Sequence, residues 1–278
     1  MLFRSVKREP LLLLAPGVLV LAAAFALPIG QVLWLALHDN AGQLTAGNFS
    51  RFFVDTYYPL VAERTIRLSL IITLTTALIG VPLAYVMHRA GRRVRMLLII
   101  VVVLPLMTSV AVRTFGWLVI LGRNGLLARM LEPIGLAAPG FSLMHTEAGI
   151  VLAMVQVLLP FMVLTVLAAI GRIDRTLEEA ARTAGANFYA TLRHVVLPLA
   201  RPGIVSGALL VLALSMSSFV TPTLVGGVRL PVLAGAIYQQ VNGTLDWNFA
   251  AAQAALLLIL ALAVIVPYAR FARARGEA

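Results

Sequence analysis

Six apolar runs, each long enough to cross a lipid bilayer, constrain this chain more than any other feature of its sequence. A helix needs about 20 apolar residues to span a hydrocarbon core of ~30 Å. Runs of that length, bounded by charge or by Pro and Gly, fall at about 11–37, 65–88, 96–121, 148–171, 202–225 and 249–268. Lipid offers the backbone no hydrogen-bonding partner, so each run is expected to be helical. The whole chain is 61% hydrophobic and only 12% charged, more apolar surface than a soluble domain can bury. The expected fold class is an all-α membrane protein with about six transmembrane helices. The first run follows Arg4, Lys7 and Arg8 and contains Ala24-Phe25-Ala26, which raises the question of a cleavable signal peptide. It continues through Trp34 to Leu37, past the apolar core of about 7 to 15 residues that a signal carries, and reads as an anchor.

The basic residues orient the spans. With the N-terminus inside, one side holds Arg4, Lys7, Arg8, Arg89, Arg92, Arg93, Arg95, Arg172, Arg175, Arg182, Arg193, Arg201, Arg270, Arg273 and Arg275. The other holds Arg51, Arg64, Arg67, Arg123, Arg129 and Arg229, and Arg113 falls inside a run. A bias of 15 against 6 places both termini in the cytoplasm, residues 1–10 forming a cytoplasmic segment and 11–278 a single transmembrane domain. The net charge of +11 does not point to nucleic acid, because the basic residues form short clusters between apolar runs and not one continuous face. Cysteine is absent, which excludes disulfides, thiolate metal sites and cysteine nucleophiles.

The internal segment 172–201 is polar yet patterned like folded structure. Thr176-Leu177-Glu178-Glu179 has the form of a capping box that would begin a helix, and Gly185 stands where a left-handed residue would end it. Asn187 is expected to cap a second short helix running to Val196, closed by Pro198 before the fifth span. Each residue has a purely local use: Glu179 as a capping partner, Ala180 and Ala181 as helix formers, Gly185 as a stop, Pro198 as a boundary. As a set, however, Glu179-Ala180-Ala181, Gly185 and Leu197-Pro198 resemble the EAA signature of ABC importer permeases, in which Glu-Ala-Ala is followed at fixed spacings by Gly, Ile and Leu-Pro. The one departure is Val195 in the Ile position.

The resemblance extends over most of the chain, and the likeness is to the first of the paired permeases in spermidine/putrescine-type importers. It is carried by Leu44-Thr45-Ala46-Gly47-Asn48-Phe49, Leu104-Pro105, Arg113-Thr114-Phe115-Gly116, Leu159-Pro160-Phe161-Met162, Phe219-Val220-Thr221-Pro222 and Gly226-Gly227. It implies the type I importer permease (MetI-like) fold in the bacterial inner membrane, and a solute that is most naturally a polyamine. Permeases for iron, thiamine, opines, aminobutyrate and aminophosphonates share these stretches. The resemblance further implies four kinds of partner: a second permease of the same fold, either a different chain or a second copy; two copies of a cytoplasmic ATPase; an extracytoplasmic substrate-binding protein; and membrane lipid. In such a machine the EAA segment is the coupling helix that seats on the ATPase. No GxxxxGK[ST] occurs in this chain, so no cofactor is expected here, and ATP with Mg²⁺ is assigned to the partner.

Polar residues inside spans, beside Pro or Gly, are the expected lining of a translocation path. Ser215, Ser217, Ser218, Phe219 and Thr221 precede Pro222, where local unwinding is expected to aim hydroxyls and carbonyls into a cavity, and form the best set, with helix packing as their alternative use. Arg113 is the one ionisable residue well inside a run. Its charge would repel a polyamine, so a structural pairing with a carbonyl or with a partner's carboxylate is the first expectation, and a ligand role only for an anionic or zwitterionic solute. Trp117, Phe115 and Trp247 are placed near the outer surface, where aromatic belts form. Asp246 and Glu147 sit near the expected outer mouth. His38, His88, His145 and His194 lack metal-ligand spacing. An ion-coupled secondary transporter, the rival class, would carry carboxylates within its spans, and none of the 11 acidic residues lies deep in a run.

Overall fold

The computed structural model describes residues 8–39 and 41–274, with side chains outside 8–15, 175 and 271–274. Most of the expected segment 1–10 and the terminal Arg275 therefore lie beyond the described residues. What is described is helical. In chain order the helices are α1 (Arg8–Ala36), α2 (Gly47–Val54), α3 (Tyr57–Arg89), α4 (Arg92–Val103), α5 (Val110–Leu121), α6 (Leu126–Leu131), α7 (Glu147–Ile170), α8 (Arg175–Thr183), α9 (Phe188–Thr191), α10 (Leu197–Ser217), α11 (Val220–Gly226), α12 (Leu233–Gln239) and α13 (Trp247–Ala274). The single β contact among the described residues is an isolated bridge between His38 and Leu44.

Six stretches are long and apolar enough to cross a membrane: Pro16–Ala36, Tyr57–Arg89, Val110–Leu131, Glu147–Ile170, Phe188–Ser217 and Trp247–Arg270. The count agrees with the six runs; several boundaries do not, the second span beginning at Tyr57 where 65 was expected and the third and fifth departing further. The third run, read as one helix over 96–121, is divided. α4 ends at Val103, a single 3-10 turn spans Leu104–Met107, and α5 starts afresh after an extended Ser109. Pro105 accounts for this, since it lacks an N–H and crowds the carbonyl four residues back. The fifth run, read over 202–225, stops early: Ser218 is extended (ψ 134°) and closes α10, and a separate α11 follows. Here Pro222 crowds the carbonyl of Ser218, four residues back, so the break falls at that position.

The chain divides into two compact units, residues 1–56 with 237–256, and residues 57–236 with 257–278. In the first, Ala36, Ala251 and Ala252 are buried against Val32, Leu35 and Phe49. Asn48 donates to the carbonyls of Ala36 (3.1 Å) and His38 (3.0 Å), fixing the turn after α1. In the second, α3, α7 and α10 pack together around Leu68, Ile72, Met154, Met162, Val166 and Val211. Small residues allow this close approach. A Cβ on Gly203 of α10 would stand 2.2 Å from the Cβ of Ala169 on α7, and one on Gly80 of α3 would stand 2.7 Å from Met162 Cγ. Lipid supplies no hydrophobic drive for helix association, so such contact, together with interhelical hydrogen bonds, is what holds the three helices.

Candidate functional site

The segment between α7 and α10 is folded, as its composition suggested, but it begins differently. The N-cap of α8 is Asp174, whose carboxylate accepts the Thr176 amide at 3.0 Å. The expected cap, Thr176, is the second residue of the helix, two positions past the cap. A carboxylate is the stronger acceptor at the positive end of a helix and takes the position from the nearby hydroxyl. Donation from the backbone and side chain of Thr176 holds the Asp174 carboxyl below its ordinary range. With the start moved, Glu179 is no longer a capping partner and its side chain is exposed, as is Ala180.

The end of α8 explains the spacing of the Ala-Ala and Gly elements. Gly185 adopts φ +86°, a conformation that costs an L side chain strain. The Ala186 amide then reaches back to the Ala181 carbonyl (3.0 Å) and the Gly185 amide to that of Arg182 (2.9 Å). These are the paired bonds of a left-handed helix stop, and they require a glycine four residues after the second alanine. Asn187 caps α9, its side chain accepting the Ala190 amide at 2.8 Å. Pro198, however, does not close this helix. A π turn over Leu192–Val196 leads from α9 into α10, so Phe188–Ser217 is one continuous stretch with Leu197 and Pro198 inside it. The wider turn gives the proline ring room that a tight α turn would deny it.

The residue beside the motif glutamate was missed from sequence. Glu178 is only 3% exposed; it pairs with Arg89 at the end of α3, and the Tyr85 hydroxyl approaches the same carboxylate oxygen at 3.4 Å. The only available signal was the repeated Glu178-Glu179, which left open which carboxylate faces inward.

The expected path residues are only partly brought together. The Thr221 hydroxyl, 2% exposed, lies 3.0 Å from that of Thr114, tying α11 to α5. Arg113 donates to the Thr108 carbonyl at 2.9 Å, bracing the break before α5. Ser217 bonds back to the Ala213 carbonyl (3.1 Å), Ser215 is buried with its hydroxyl unpaired, and Ser218 and Phe219 form the break itself. Trp117 donates to Gln156 at 3.3 Å, an α5–α7 contact inside the bundle, where sequence suggested only a belt. The two carboxylates of the expected mouth are each neutralised: Glu147 pairs with Arg67 through two bonds (2.8 and 2.9 Å), and Asp246 pairs with Arg51 at 2.7 Å. A cavity of about 650 Å³ opens instead beside the start of α8, lined by Thr165, Arg172, Asp174, Leu177, Pro202 and Ser206 among others.

Six apolar helices, with a capped helix in the segment between two of them, define an all-helical membrane protein. The fold is that of known permeases: the chain aligns over 99% of its length, and 98% of the other's, with a crystal structure titled as a bacterial alginate ABC transporter in complex with alginate pentasaccharide-bound periplasmic protein (TM-score 0.83, 19% identity). It also aligns over 79% of its length, and 98% of the other chain, with the inward-facing MetNI methionine ABC transporter (TM-score 0.55, 19% identity). Residues 68–274 match the family described as binding-protein-dependent transport system inner membrane component. The chain belongs to that family, and it is the inner-membrane permease component of an ABC importer. It is 34% identical over 256 residues to the spermidine/putrescine transport system permease protein PotB of Haemophilus influenzae, covering 92% of this chain and 87% of that one. To the protein of the same name in Escherichia coli it is 30% identical over 229 residues, covering 82% and 83%.

Proposed function

We propose that this permease forms half of the translocation path of an ATP-driven polyamine importer, and that α8 is where a cytoplasmic ATPase seats. The single observation that carries the coupling role is the geometry of α8, a helix just over two turns long held rigid by a carboxylate cap and a glycine stop, with Glu179 and Ala180 on its exposed surface. A lever must be stiff, must end at a defined place and must offer small side chains so that a partner can approach. In this reading both termini and the 172–201 segment face the cytoplasm. A second permease completes the path, two ATPase subunits hold the ATP and Mg²⁺, and a binding protein delivers solute from the other side. The polyamine assignment rests on the two near-full-length relatives named for spermidine and putrescine. It accords with Arg113 being engaged with the Thr108 carbonyl, the structural pairing its charge led one to expect. ATP-driven closure of the ATPase pair would shift the permeases between outward-open and inward-open states, and the loaded binding protein favours the same transition.

The test is reconstitution with the candidate ATPase and binding protein in proteoliposomes. Spermidine-loaded binding protein should raise ATP hydrolysis, and Glu179→Arg should release the ATPase. An ATPase that stays bound to Glu179→Arg with unchanged stimulation would refute the docking role, and stimulation by another solute but not by spermidine or putrescine would refute the polyamine assignment.

A further inference from the structure

α8 is joined through the chain to α7 on one side and to α10 on the other, but not to α3, although α3 is one of the three helices of the core. Tyr85 and Glu178 are 93 positions apart in sequence. What connects the two elements is a cluster of side chains. Tyr85 and Arg89 lie four residues apart on the last turns of α3, so they share one face. Both address Glu178. Arg89 forms an ion pair with its carboxylate, and the Tyr85 hydroxyl stands 3.4 Å from the same oxygen. The Arg89 guanidinium also lies over the Tyr85 ring, 5.4 Å from its centre, and the same ring makes an edge contact with Phe188 of α9, centroids 6.0 Å apart.

The energetics of the pair point to position and not to bulk stability. A carboxylate that is 3% exposed has given up its hydration, and the attraction of one partner does little more than offset that loss. Removing one partner is costly, however, because the other charge is then left buried and alone. A pair of this kind therefore tolerates very little relative displacement. The last turns of α3 are also the part most able to follow a pull, since Pro82 has no N–H to give to the Leu78 carbonyl and the helix ladder is interrupted there.

We infer that Arg89, Glu178 and Tyr85 form a latch through which displacement of α8 is conveyed to α3, with Arg89 and Tyr85 as positioning residues that touch neither solute nor nucleotide. The inference rests on the reading of α8 as the ATPase-docking helix. The latch faces into the protein while Glu179 faces out, so the two roles separate: a chain without the latch keeps its docking surface and loses transmission to α3.

The chain has no cysteine, so spin labels can be placed at will. The test uses the full reconstituted complex, with labels at exposed Thr183 of α8 and exposed Val86 on the last turns of α3, compared nucleotide-free and trapped with ATP and vanadate. In the parent chain the two labels should keep their separation to within about 2 Å, whereas in Arg89→Glu they should move apart or together by about one helical turn, ~5 Å. With the wild-type complex transporting spermidine, uptake per ATP hydrolysed should fall about two- to thirtyfold in Arg89→Glu, and the exchange Arg89→Glu with Glu178→Arg should restore it. Should Arg89→Glu fail to assemble, Tyr85→Phe, which removes only the hydroxyl, should lower the ratio in the same direction with the ATPase still bound. Unchanged separation and ratio in these variants, or an exchange no better than the single change, would overturn the latch. Loss of ATPase from Glu179→Arg is read separately and bears on the docking reading, while absent spermidine uptake bears on the solute and leaves the label distances to decide.

Discussion

Gly185→Ala isolates the value of a defined helix stop. Nothing lies within 4 Å of where the new methyl would be, and the backbone there holds φ +86°, so the whole cost is conformational. Placing an L residue in that region costs about 1–2 kcal/mol. The variant can relax by unravelling the last turn of α8, which releases the bonds from Ala186 to Ala181 and from Gly185 to Arg182. If the relaxed form is free of strain, the native end is populated some five- to thirtyfold less, and the apparent affinity for the ATPase falls by up to that factor. The assay is titration of labelled ATPase onto the permease pair in nanodiscs, with amide exchange over 175–186 as a local check. Gly185→Asn should sit between glycine and alanine, because asparagine enters the left-handed region more readily. An alanine variant that binds as the parent does, or an asparagine variant as weak as alanine, would refute the reasoning.

Two further outcomes follow from the geometry. Gly203→Ala places a methyl 2.2 Å from Ala169 Cβ and 3.2 Å from the Thr165 carbonyl, so α7 and α10 must part; overpacking of this kind costs about 1–3 kcal/mol, and thermal unfolding in detergent should show it as a lowered midpoint. The depressed Asp174 carboxyl stabilises α8 fully above the ordinary aspartate range, about 3.9, and that contribution is lost as pH falls through the lower, folded value; amide exchange in the first turn of α8 should quicken there, while Asp174→Asn, which keeps an acceptor without the charge, should show no such pH step.

How much of this was legible beforehand differs by scale. The number and approximate place of the spans follow from hydropathy, because lipid imposes a length. Their breaks do not, since hydropathy is blind to a missing N–H. Pro105 and Pro222 were visible in the sequence; unwinding just before Pro222 was expected from that proline, and counting back to the carbonyl of Ser218 places it, whereas the break at Pro105 was not expected. The glycine stop at 185 and the Asn187 cap were readable because both act within a turn. The start of α8 was misread by two residues, as two good acceptors, Asp174 and Thr176, compete there and the sequence does not rank them. The pairing of Arg89 with Glu178 had no local signal, being made by the folding of α3 against the loop.

The π turn before Pro198 has a mechanical consequence. By letting the chain pass the proline without stopping, it makes one strut of the 30 residues from Phe188 to Ser217, some 45 Å long at 1.5 Å per residue and half as long again as the hydrocarbon is thick. A strut of that length ends in the 172–201 segment at one extreme and at the Ser218–Phe219 break at the other. A displacement imposed at Phe188 thus has an unbroken helical backbone to travel along, past Pro198 and Pro202, and the extended Ser218 is where that backbone hands over to the hydroxyl-bearing α11.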